Sequence, residues 1–173
     1  MKILIISTSL KAASNSRIMS KYAYDLVAQR GVEVAFMDLR DHPLPLCDGG
    51  PCYSLPEVEA ATKIVSEADA IIMGAPVYTY DLSAAAKNLI ELTGSAWEDK
   101  VVAFLCAAGG LSSYMSVMSF ANSLMLDFRC LIVPRFVYAT RKAFEHDAVV
   151  DVEMQERIQQ LVATTLRLAA VPK

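Results

Sequence analysis

Short apolar runs alternate with amphipathic stretches along the chain. Ile3-Leu4-Ile5-Ile6, Ala70-Ile71-Ile72-Met73 and Val101-Val102-Ala103-Phe104-Leu105 contain neither charge nor polar alternation. Runs that are apolar at every position suit strands covered on both faces of a sheet. Strands are predicted over 2–7, 32–39, 70–74, 100–107 and 130–139. The stretches between them have apolar positions at helical spacing and predict helices over 15–30, 55–68, 82–93, 112–127 and 151–169. Five strand–helix units in regular alternation predict an α/β fold with a parallel sheet and helices on both faces. Right-handed crossovers then give the strand order 2-1-3-4-5.

Boundary residues fit this pattern. Ser14 and Asp151 are placed to cap the first and last helices, and Ser54-Leu55-Pro56-Glu57 reads as a capping box with proline in the first turn. The last helix carries one stripe, Ile158, Leu161, Val162, Thr165 and Leu168. Residues 40–54 contain proline and glycine throughout and form the one long irregular segment; loops of that length are commonly functional or interfacial. Helix 112–127 has no charge before Asp127, so its apolar surface exceeds what one sheet face covers. Either a partner subunit or the 40–54 loop must cover the surplus.

Composition narrows the picture. A chain of 173 residues, 54% hydrophobic and 20% charged, is expected to form one domain over 1–173. A net charge of -3 supplies no basic patch for nucleic acid or an anionic membrane. No stretch reaches transmembrane length, and the first apolar run ends too early for a signal peptide, so a cytoplasmic location is expected. Cys47 and Cys52 lack the second pair that a zinc site needs, while Cys106 and Cys130 fall in predicted strands as small hydrophobes. His42 and His146 stand far apart, without metal-ligand spacing and without a serine or cysteine partner. Neither a metal centre nor a protein nucleophile is expected.

In such sheets ligands bind beyond the carboxyl ends of the strands. Three loops there are distinctive. The first, Ser7 to Arg17, is rich in hydroxyls and leads into a helix N-terminus, which suits a phosphate. The first glycine of the chain is Gly31, so neither a P-loop nor a G-x-G-x-x-G turn follows the first strand. A phosphate loop built from serine and threonine points to flavin mononucleotide; an ordinary capped turn would use the same residues. The second loop, Gly74-Ala75-Pro76-Val77-Tyr78-Thr79-Tyr80, offers flat tyrosine faces and backbone donors to a planar ring, or else merely caps the sheet edge. In the third, Gly109-Gly110 allows close backbone approach to a ligand, or simple turn chemistry.

Together these loops resemble the NADPH-dependent FMN reductase family of the flavodoxin-like superfamily. That family opens with a strand and G-S-x-R-x-x-S-x-N. Here Ser9 and Ser14 match, while Thr8, Lys11 and Ser16 replace the glycine, arginine and asparagine. The family's P-x-Y-N matches Pro76-Val77-Tyr78-Thr79, with Thr79 for asparagine, and K-N-x-[IL]-[DE] matches Lys87-Asn88-Leu89-Ile90-Glu91. Lys87 is more simply read as an i,i+4 partner of Glu91 than as a ligand contact. The resemblance implies a flavodoxin-like three-layer sandwich with FMN phosphate on Ser9, Lys11, Ser14 and Ser16. It sets the isoalloxazine ring against Pro76, Val77, Tyr78 and Thr79 on one edge and Gly109 and Gly110 on the other. It further implies hydride transfer from NAD(P)H to the flavin and electrons passed to a small acceptor: a quinone, free flavin, azo compound or metal oxyanion. The resemblance implies, as well, a homodimer or homotetramer. The competing reading is a flavodoxin-type electron carrier without NAD(P)H turnover, although carriers of that kind are usually more acidic.

Overall fold

The computed structural model describes residues 1–171. Its strands are β1 (Lys2–Ser7), β2 (Glu33–Asp38), β3 (Ala70–Tyr78), β4 (Asp81–Leu82), β5 (Val101–Ala108), β6 (Leu131–Ile132), β7 (Val137–Thr140), β8 (Phe144–Glu145) and β9 (Ala148–Val149). Its helices are α1 (Asn15–Ala28), α2 (Pro56–Ser66), α3 (Ala84–Thr93), α4 (Met118–Phe128) and α5 (Val152–Ala169). The apolar runs became the central strands because every residue from Ile3 to Ile6 and from Ala70 to Met73 is buried. Their side chains alternate between two cores. Leu4, Ile6, Ile71, Met73 and Phe104 face α2, α3 and α4, whereas Ile3, Ile5, Ile72 and Leu105 face α1 and α5. Each such side chain contributes about 1.5–3 kcal/mol on leaving water.

The sheet runs β2-β1-β3-β5, with β6 and β7 both alongside β5, and all of these pairings are parallel. The flavodoxin-like order 2-1-3-4-5 is therefore present, with its fifth position filled by two short pieces. The expected continuous strand 130–139 is broken around Pro134, which has no N–H to give the ladder, and Arg135, which turns the backbone left-handed at φ 61°. Cys130 consequently precedes β6 instead of lying in a strand.

Three more expectations need correction. Strand β3 continues four residues past Gly74 and turns back antiparallel as β4. The turn between them holds Thr79 at φ 50° and Tyr80 at φ 62°, the left-handed pair of a two-residue hairpin. Helix α4 begins at Met118 instead of 112, after a 3-10 turn over Tyr114–Val117. Ser54 does not cap α2; it lies in the 3-10 turn Pro51–Ser54, and Leu55 occupies the cap position with no side-chain bond. Ser14 and Asp151 do cap, accepting from Arg17 N at 3.4 Å and Met154 N at 3.0 Å.

Two polar groups are accommodated in the core by specific partners. Trp97 donates its Nε1 to Thr93 Oγ1 at 2.7 Å. Lys100 Nζ donates to the carbonyls of Ser66, the last residue of α2, and Ala68 just past it, where the helix dipole favours a cation. Burial pushes the Cys106 thiol up to about 12 and that of Cys130 up to about 11, so both stay protonated. Among the described residues no helix is long and apolar enough to cross a membrane.

Candidate functional site

Ser7, Gly74 and Leu105 lie on one rung of β1, β3 and β5. Beyond that rung β1 ends at once, while β3 runs on to Tyr78 and β5 to Ala108, and the three loops follow at the carboxyl ends of these neighbouring strands. Thr8 leaves β1 tied to β3: its N–H and its Oγ1 both donate to Gly74 O, at 2.9 and 3.1 Å. Its Oγ1 also lies 3.3 Å from Ser83 Oγ at the start of α3.

Of the residues expected to hold a phosphate, Ser9, Ser14 and Ser16 are buried and Lys11 is exposed. Ser14 Oγ and Ser16 Oγ are 3.0 Å apart, and Lys11 N donates to Ser9 Oγ at 3.3 Å. Pro76 is buried within β3 opposite Ala107, and Val77 and Tyr78 pair with Leu82 and Asp81. Tyr78 and Thr79 are exposed, as are Gly109 and Gly110 at the end of β5. A Cβ on either of these glycines would meet nothing within 4 Å. The protein's own packing therefore does not demand glycine there. Lys87 does pair with Glu91, at 3.4 Å.

Several residues missed in the sequence organise these loops. Asp38, at the end of β2, is buried between Arg17 of α1, 2.6 Å away, and Arg40, 2.8 Å away. Burial pushes its carboxyl upward, but hydrogen bonds from Arg40 and the charges of Arg40 and Arg17 outweigh this and hold it below the ordinary range. Arg40 also donates to Ala12 O at 3.3 Å, so this ion-paired group braces the first loop. Asn88 clamps the 40–54 segment, accepting from Cys47 N at 2.9 Å and donating to Pro45 O at 2.8 Å. Asp81 Oδ1 accepts from Ser119 Oγ at 2.7 Å, joining the β3–β4 hairpin to α4. Tyr138 donates to Gly110 O at 2.6 Å and fixes the third loop from below; burial raises its phenol pKa and keeps that proton in place. Each of these pairs joins distant segments or unlike elements, and only the asparagine of the K-N motif left a local signal.

The first loop fits a phosphate monoester. At the start of the 14-residue α1, Ser14 takes the N–H groups of Arg17 and Ile18, which leaves those of Asn15 and Ser16 without an intrahelical acceptor. Ser7 Oγ is buried without a hydrogen-bond partner, and Arg17 Nε faces Asp38 without hydrogen-bond alignment. Two clefts flank the loops. One of about 600 Å³ runs from Leu10 and Ala12 past His42 and Leu44 to Ala85. Another of about 700 Å³ runs from Tyr78 and Thr79 past Lys87 to Ser123. Among the described residues no cluster of three or more histidine, cysteine or acidic side chains could hold a metal ion.

A family model described as NADPH-dependent FMN reductase matches residues 1–145. The NAD(P)H-dependent FAD/FMN reductase of Geobacillus thermodenitrificans (strain NG80-2) is 31% identical over 133 residues, covering 75% of this chain and 72% of its own. The NADPH:quinone oxidoreductase of Arabidopsis thaliana is 27% identical over 185 aligned positions, covering 96% of this chain and 93% of its own. Among solved structures, the flavoenzyme NAD(P)H:(acceptor) oxidoreductase of Paracoccus denitrificans superposes with a TM-score of 0.80 at 18% identity, covering 97% of this chain and 96% of that one. At that identity the likeness is one of fold.

Proposed function

Because the chain belongs to the NADPH-dependent FMN reductase family, we propose that its three loops hold FMN and that the enzyme passes electrons from NAD(P)H to a small acceptor. It is a flavin-dependent NAD(P)H oxidoreductase. The observation that carries this reading is the family match over residues 1–145, which contains all three loops. Bound FMN supplies the hydride and electron chemistry, and the protein supplies position and electrostatics.

Ser9, Ser14, Ser16 and the exposed Lys11 would take the phosphate, with the start of α1 supplying backbone donors. Pro76, Val77, Tyr78 and Thr79 would border one edge of the ring, and Gly109 and Gly110 the other. Asp38 with its arginines, Asp81 with Ser119, and Tyr138 would fix these loops without touching the reacting atoms. No side chain is assigned a nucleophilic or acid–base role. The acceptor class is a quinone, as in the Arabidopsis relative's name, a free flavin, an azo compound or a metal oxyanion.

Anaerobic stopped-flow mixing of the FMN-loaded protein with NADH and with NADPH is the direct test. Bleaching of the flavin band by at least one of them, with ping-pong steady-state kinetics, is expected. No bleaching with either would favour a flavodoxin-type carrier. Lys11→Ala should weaken FMN about tenfold, the low end for a charge-assisted hydrogen bond because this lysine is solvated, and leave riboflavin binding nearly unchanged. Equal losses for both flavins in equilibrium titrations would remove Lys11 from the phosphate.

The protein is further proposed to be one domain over 1–173, cytoplasmic, and a homodimer or homotetramer. The 40–54 loop lies against α2 and α3 and leaves Met115, Met118, Met125 and Leu126 exposed on and beside α4, at 50%, 38%, 40% and 82%. An isologous partner would cover that face. A species that sediments as a monomer at micromolar concentration would rule this out.

A further inference from the structure

We propose that a cleft at the β7 edge of the sheet receives the adenosine 2′-phosphate end of NADPH, and that Arg135 is the residue that distinguishes NADPH from NADH. The inference rests on the reading of the protein as an NAD(P)H oxidoreductase. The cleft, of about 660 Å³, lies between the Pro134–Phe136 kink and α5. Three of the chain's eight arginines line it: Arg135, Arg157 and Arg167. Arg157 is already engaged by Glu153 at 2.9 Å. Arg135 and Arg167 make no side-chain hydrogen bond or ion pair among the described residues. Glu156 is the remaining acid on the cleft wall, so the lining carries a net charge of about +1 on a chain whose total is -3.

A second, independent feature ties this cleft to the flavin loops. Phe136 packs on Tyr114, with ring centroids 5.0 Å apart, and Tyr114 packs on Tyr138 at 5.5 Å. Tyr138 in turn donates to Gly110 O. One aromatic ladder therefore runs from the Gly109-Gly110 loop to the neighbour of Arg135. Tyr114, 46% exposed, lines the same cleft and adds an aromatic ring to its wall. A planar base next to a phosphate is the ligand chemistry such a wall and such a cation match. The guanidinium fork pairs with a phosphate in bidentate fashion. An arginine beside the ribose is the usual means of accepting the 2′-phosphate of NADP. NADH lacks that group and would gain little from Arg135.

The test uses the FMN-loaded protein. Arg135→Ala should raise the NADPH KM about tenfold or more and change the NADH KM by less than about twofold. Arg135→Lys should restore part of the loss, and Arg141→Ala should do nothing. Arg167→Ala, on a helix that alanine suits, should act in the same direction to a smaller extent. Calorimetry supplies a readout independent of turnover: adenosine 2′,5′-bisphosphate should bind the wild type at least about tenfold more tightly than adenosine 5′-monophosphate, and about equally to Arg135→Ala. Equal binding of the two by the wild type, or equal KM changes for both dinucleotides in Arg135→Ala, overturns the assignment. If the loaded protein oxidises neither dinucleotide, the oxidoreductase reading fails by itself, and the titration still decides whether the cleft takes a 2′-phosphate.

Discussion

Gly74→Val is expected to cost about 3 kcal/mol of folding stability, the upper end for overpacking a well-filled site. A Cβ on Gly74 would stand 1.9 Å from Ser20 Oγ and 3.0 Å from Ser16 O, the latter a backbone atom that cannot rotate away. Strand β3 and helix α1 meet there with no room for a side chain, and the same glycine's carbonyl takes both bonds from Thr8. For a chain of this size the thermal midpoint should fall by roughly 6–12 °C. FMN affinity should fall with it, because α1 and its N-cap carry the proposed phosphate ligands Ser16 and Ser14. The double variant Gly74→Ala with Ser20→Ala, which removes the nearest atom, should recover much of the loss. A Gly74→Val protein that melts with the wild type would mean that the helix and strand are not in contact at this point.

Asp38→Ala should destabilise by about 2–3 kcal/mol. Removing one partner of a buried ion pair leaves the other uncompensated. The figure stays below that for fully enclosed pairs because the side chains of Arg17 and Arg40 keep 28% and 23% of their exposure. The same carboxylate predicts a pH dependence. An unfolded aspartate takes up its proton near pH 3.9, and the folded Asp38 does so only at lower pH. The contribution of the pair is therefore complete above the unfolded value and is lost as the pH falls through the folded one. Urea midpoints measured against pH should drop more steeply below about pH 4 for the wild type than for Asp38→Asn. Parallel curves would show that Asp38 carries no linked charge.

The central sheet was legible because its strands are apolar on both faces, and their alternation with amphipathic helices places Ile3-Leu4-Ile5-Ile6 and Ala70 to Met73 in a doubly covered parallel sheet. What escaped the sequence has physical causes. Strand β3 was expected to stop at Gly74 because a proline two residues on normally ends pairing. Its own carbonyl still serves the fold, accepting from Ser83 N at 3.0 Å as the hairpin returns. The late start of α4 reflects the Tyr114–Val117 turn, which presents apolar residues at a spacing close to that of an α-helix. Ser54 followed by Pro56 and Glu57 has the composition of a capping box, yet the preceding Pro51 draws Ser54 into a 3-10 turn. Thr79, which stands in place of the asparagine of the P-x-Y-N pattern that this sequence resembles, adopts φ 50°, a conformation that a β-branched side chain disfavours. The pairing of Asp38 with Arg17 joins residues 21 positions apart. No local pattern encodes a contact of that kind.

The clamp that Asn88 places on Pro45 and Cys47 bears on how this loop can be inherited or transplanted. The 40–54 segment has one short 3-10 turn as its regular structure, and its stretch Pro45–Cys47 is tied by one amide on a helix about forty residues downstream. The loop and Asn88 thus form a single modular unit although the chain separates them. Grafting the loop alone onto another scaffold would carry its composition but not its shape. Insertions or deletions in it would be tolerated on either side of Pro45–Cys47, while that three-residue span must keep its reach to α3. In a set of related sequences, a change at position 88 should be accompanied by a rebuilt loop.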